Sequence, residues 1–123
     1  MIKPIFDPQA IHVGWHNGIY IFDNQLDWVA FEYQGDLFSS THATWLGPLV
    51  DGTFLDQTGK PVAWLAGTIP TGFRIGTAQP KAPIVPIAPK NLEVPRFPTG
   101  AMKQLSPLGG WSKLSWIEWL SQG

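Results

Sequence analysis

The sequence predicts an all-β fold in which antiparallel hairpin repeats are arranged around a pseudo-four-fold centre, followed by a Pro-rich extended arm and a short C-terminal helix. Three observations carry this expectation. A short motif with hairpin character recurs along the first 77 residues, prolines later fall at every third position, and a helix-start signature stands near the end. The expected boundaries are 1–77 for the hairpin domain, 78–108 for the arm and 109–123 for a docked helix. Composition agrees, because 13 Gly and 12 Pro among 123 residues interrupt the chain too often for a helical bundle. Seven Trp and seven Phe, within 44% apolar residues, supply the core of one compact domain.

The repeat pairs an apolar residue and Asp with a later Val-small-aromatic triplet. Phe6-Asp7, Phe22-Asp23 and Leu55-Asp56 are followed, six residues after each Asp, by Val13-Gly14-Trp15, Val29-Ala30-Phe31 and Val62-Ala63-Trp64. A degenerate copy fits the remaining gap one residue shorter, with Phe38-Ser39 at its start and Thr44-Trp45 as its small-aromatic pair. Each unit reads as an apolar strand, a turn opened by Asp or Ser, and a second strand ending on an aromatic. Asp and Ser suit the turn because their side chains cap backbone N–H groups two residues on. Gly59 can supply a positive φ in one turn, whereas Asn24-Gln25-Leu26-Asp27 has no glycine. Short hairpins cannot each bury a face alone, so the four must pack on one another, and closing the set removes exposed edges.

These hairpins, the run from Gly52 to Trp64 (GTFLDQTGKPVAW), the proline-punctuated stretch and the ending GGWSKLSWIEWL together resemble the four-fold beta flower family of small bacterial proteins. The resemblance implies the fold and a bacterial source. The family carries no assigned activity, so the resemblance transfers no catalytic or binding residue.

In the arm, Pro80, Pro83, Pro86 and Pro89, then Pro95 and Pro98, match the three-residue turn of polyproline II. Ile84, Val85, Ile87 and Leu92 beside them favour an arm that lies along a surface, on this chain or on a neighbouring copy. In the tail, Ser115 and Glu118 fit a capping box, with Leu114 and Trp119 at the positions of a hydrophobic staple. So short a helix does not persist alone in water, so Trp111, Trp116, Trp119 and Leu120 are expected to dock as an interaction tail, as a lid on the chain's own hairpin core ahead of a neighbouring subunit or a free partner.

Charge is divided along the chain. Residues 1–77 carry three basic and seven acidic side chains, and residues 78–123 carry five basic and two acidic, or −4 against +3. This favours association of the tail with the first segment or with a second copy. The net charge of −1 gives no basic footprint for nucleic acid. Without cysteine there is neither a disulfide nor thiol chemistry. The absence of a signal-like apolar run or a membrane-length segment leads to the expectation of a cytoplasmic protein without membrane contact.

Evidence for chemistry is sparse. His12 and His16, read as one strand, share a face about 13 Å apart, too far to bind one metal. A catalytic reading would pair His42 with Asp36 or Asp51, and no nucleophile elbow or spaced triad supports it. Asp7, Asp23 and Asp56 recur at turn positions, which argues for turn chemistry. The expectation is a non-enzymatic structural or protein-interaction module that self-associates through its arm and tail, with no cofactor and no metal. The alternative is a small-ligand or carbohydrate-binding protein that uses Trp28, Trp45, His12 and His16, and a hydrolase-like enzyme with a His/carboxylate site comes third.

Overall fold

The computed structural model describes residues 2–41, 43–72, 107 and 109–122. The expected Pro-rich arm and His42 lie outside the described residues. Eight antiparallel strands form a closed barrel in sequence order: β1 (Ile2–Phe6), β2 (His12–Asn17), β3 (Tyr20–Asp23), β4 (Trp28–Tyr33), β5 (Asp36–Ser39), β6 (Trp45–Val50), β7 (Thr53–Leu55) and β8 (Pro61–Leu65). One helix, α1 (Trp116–Leu120), follows. β1 returns to β8, with Ile5 opposite Leu65 and Phe6 opposite Trp64, so no edge strand is left open.

The four hairpins β1–β2, β3–β4, β5–β6 and β7–β8 share one irregularity. In each, a single residue of the second strand is unpaired between two register steps: Val13, Val29, Leu46 and Val62. Such a bulge bends the strand and tightens its twist, which closure of so small a barrel demands. The bulge residues pack on a central ring of Ile5, Ile21, Leu37 and Phe54, all fully buried. Outward-facing rings form a second layer between neighbouring hairpins. Phe31 stacks on Phe38 at 5.5 Å, and Phe6 meets Trp64 at 5.0 Å.

The register corrects the expected alignment of the degenerate copy. Opposite Leu37 stands Gly47, so the equivalent of Val-small-aromatic is Leu46-Gly47-Pro48, while Trp45 corresponds to His12, Trp28 and Pro61. This hairpin's loop is one residue longer than the others, where a shorter unit was expected. Trp45, adjacent to a small residue, imitates the motif, but the paired backbone sets the register.

The long loops lie at one end of the barrel and the tight turns at the other. Gln34-Gly35 and Asp51-Gly52 are tight turns with positive φ at both residues, as type I′ hairpin turns require. In the long loops, Asp7 Oδ1 accepts the N–H groups of Gln9 and Ile11, Asp23 Oδ1 those of Gln25 and Asp27, and Asp56 Oδ1 those of Thr58 and Lys60. Ser39 Oγ takes this role in the six-residue loop, accepting from Thr44. Each loop then needs one left-handed residue, supplied by Ala10, Leu26, Ala43 and Gly59. Leu26 holds φ 65° and is 40% exposed, so it occupies a strained conformation and gains little from burial. Leu26→Gly is expected to raise the unfolding free energy by about 0.5–1 kcal/mol, measured by urea titration. A destabilised variant would contradict this account of the loop.

Candidate functional site

The long-loop end is where the chain brings its polar groups and its tail together. A ring of hydrogen bonds runs from loop to loop. The residue after each loop's first member caps a carbonyl of the preceding hairpin: Asn24 Nδ2 donates to His12 O, Ser40 Oγ to Trp28 O, and Gln57 Nε2 to Trp45 O, each at 2.9 Å. The fourth carbonyl is that of Pro61, and the corresponding loop residue is Pro8, which has no donor. The tail fills this gap, because the backbone N–H of Ser112 donates to Pro61 O at 2.7 Å.

Ser112 Oγ also donates to Asp56 Oδ2 at 2.5 Å. Beyond it, Ser115 caps α1 as expected, accepting from Glu118 N while Glu118 Oε1 accepts from Ser115 N. The cap directs Trp116 and Trp119 into the barrel core, stacked on each other at 5.3 Å and edge-on to Phe54. Trp119 Nε1 donates to Leu55 O at 3.0 Å, and Gln122 Nε2 to Leu46 O at 3.1 Å. Leu114 and Leu120 pack on the same core, while Trp111 stays half-buried. The interaction tail named from sequence is therefore largely spent on the chain's own barrel.

Asp56 is 6% exposed. Burial acts to raise its pKa, but the bonds it accepts from Ser112, Thr58 and Lys60 outweigh burial and hold the carboxyl below the ordinary aspartate value. A depressed folded-state pKa contributes stability that is present above the unfolded value of about 4 and lost as pH falls through the folded value. Unfolding midpoints measured between pH 7 and pH 2 should therefore fall below about pH 4 in the native protein. In Ser112→Ala the drop should be shallower and begin from a lower plateau. An unchanged profile would mean that Asp56 does not hold the tail.

Among the described residues, two openings flank α1 and the segment leading into it. One, of about 340 Å³, runs along Asp56, Lys60, Ser112, Lys113 and Gln122. The other, about 590 Å³, lies between Asp7, Asp23 and the helix residues Trp116, Ile117 and Leu120.

The other residues singled out from sequence do not form one platform. Trp45 is 7% exposed and packs with Phe31 and Phe38, its Nε1 donating to Asp36 Oδ1. Trp28 joins the edge of that cluster and meets Tyr20 and Phe31. His12 packs on Trp15 at 4.5 Å and on Phe6, and burial lowers its pKa. His16 instead enters the barrel, near Phe54. The bulge at Val13 breaks the period-two alternation, so the two histidines occupy opposite faces of β2, contrary to the expected shared face.

One contact was not anticipated. His16 Nε2 lies 3.4 Å from Glu32 Oε1 inside the tight-turn end. Both follow the aromatic of their triplets, 16 residues apart, and Leu49 and Leu65 hold the equivalent positions. The repeat period thus contained the signal. No group of three or more His, Cys, Asp or Glu suited to a metal occurs among the described residues, and no helix there is long and apolar enough to cross a membrane.

A family model described as 4-fold beta flower protein matches residues 3–120. No curated protein and no solved structure matches the chain.

Proposed function

The chain belongs to the 4-fold beta flower family, and from that premise we propose that it is a non-enzymatic structural or protein-interaction module that self-associates through its arm, the tail being docked on its own barrel. The observation that carries this reading is how the long-loop end is built. The recurring carboxylates Asp7, Asp23 and Asp56 each spend one oxygen on turn N–H groups, which is framework chemistry and not an acid/base pair. A segment distant in sequence completes that framework through Ser112, so the barrel face is a surface fitted to receive chain. The opposite charges of residues 1–77 and 78–123 favour the same kind of contact between copies.

Gel filtration with light scattering checks the reading on two proteins: the full chain, and a version with residues 78–106 replaced by a glycine-serine linker of equal length. The full chain should show a multiple of 13.6 kDa and the linker version a mass shifted toward that of its own, lighter monomer. A monomer mass for both would refute self-association through the arm.

A further inference from the structure

We propose that the cleft bounded by Asp7, Asp23 and α1 binds a basic, apolar peptide segment supplied by a partner protein. One quadrant of the same barrel end already shows how a chain segment is held there. Asp56 keeps its turn with Oδ1 and grips Ser112 with Oδ2, while the N–H of Ser112 reaches the nearby Pro61 carbonyl. Asp7 and Asp23 stand at the repeat-equivalent positions and keep their turns in the same way. Their Oδ2 atoms have no donor among the described residues.

Both carboxylates open onto one cleft of about 590 Å³, within the range of ligand pockets. Among its described lining residues these two are the charged ones, so it presents two negative charges without a cation. Its apolar wall is Val13, Trp116, Ile117 and Leu120. Ile117 is 72% exposed, a large apolar side chain turned to solvent beside a pair of carboxylates. Trp116 is only 7% exposed, yet its Nε1–H has no acceptor among the described residues. Such a buried donor is costly, so a shift of the indole that brought it to a carbonyl seated on this wall would favour binding.

The chemistry that answers these features together is a lysine or arginine for the two Oδ2 atoms, apolar neighbours for the wall, and a main-chain carbonyl. That is an extended peptide, and Ser112 at Asp56 is the internal example of one. Arginine in particular can bridge paired acceptor oxygens with its fork of donors.

The test uses the full chain and a fluorescein-labelled Leu-Lys-Trp-Arg-Leu amide, read by anisotropy, with the glutamate counterpart as control. The basic peptide should bind, and D7N/D23N should weaken binding at least tenfold. Asparagine keeps the Oδ1 acceptor of each turn, so the loops survive. Asp51→Asn, in the β6–β7 turn at the opposite end, should change nothing. Ile117→Lys, at an exposed helix position that caps neither turn, should also abolish binding and serves if the double variant fails to fold. Equal affinity for native protein and variants, or equal binding of the glutamate peptide, overturns the proposal. A full-chain oligomer that becomes monomeric in D7N/D23N also overturns it, because a second copy would then fill the cleft. Peptide affinity and oligomer mass are read separately, so a monomeric full chain that binds the peptide rejects self-association and leaves this site standing.

Discussion

Replacing Gly47 by alanine is expected to lower the unfolding free energy by about 3–5 kcal/mol. Gly47 stands at φ 150°, a conformation that L side chains rarely adopt, and a Cβ there would lie 2.0 Å from the carbonyl oxygen of Leu55 and 2.9 Å from the carbonyl carbons of Leu55 and Asp56. All three obstacles are backbone of the neighbouring hairpin and cannot rotate away as a side chain would. Moving them would disturb the Trp119 bond to Leu55 O and the Asp56 loop together. Of the equivalent positions, Ala30 and Ala63 carry a buried Cβ, whereas a Cβ on Gly14 would fall 2.3 Å from the carbonyl oxygen of Phe22, so the close approach is confined to the two hairpin junctions where glycine stands. Small domains have about 5–15 kcal/mol of stability in all, so the variant should be partly unfolded at modest urea. Urea titration followed by tryptophan fluorescence measures the change, and a loss below about 1 kcal/mol would refute the close approach.

Trp119→Ala should cost about 3–5 kcal/mol. The indole is fully buried, stacks on Trp116, meets Phe54 edge-on and donates to Leu55 O, so truncation leaves both a cavity and an unpaired carbonyl. Trp119→Phe retains most of the ring volume and loses the donor, and should cost less than half as much. If the two variants unfold at the native midpoint, the tail is not part of the barrel's core. Ile117→Ala, two residues earlier and 72% exposed, should be nearly neutral and controls for helix propensity.

Local chemistry made much of the fold legible. The recurrence of Asp with a Val-small-aromatic triplet located the hairpins, because the turn-capping carboxylate and the alternation of a strand are short-range signals. The capping box of Ser115 and Glu118 was readable for the same reason. What stayed hidden depends on the partner strand. Bulges at Val13 and Leu46 are properties of pairing, and they moved His12 to another face and reassigned Trp45. The His16–Glu32 pair could have been found by comparing positions one repeat apart in place of neighbours along one strand. The way the tail is fastened was least visible, since Ser112 takes up a carbonyl whose loop-side donor is missing at Pro8, a relation that only closure of the barrel creates.

That closure is the centre of the account: the tail is the element that completes the loop-to-loop ring, and its residues should open only when the barrel opens. Native-state hydrogen exchange measures this directly at the amides of Ser112 and Trp119 and the indole N–H of Trp119, against the Leu65 amide bonded to Gly52 O in the barrel. All four should exchange with protection close to that of global unfolding. Rapid exchange of the Ser112 and Trp119 groups while the Leu65 amide stays protected would contradict it.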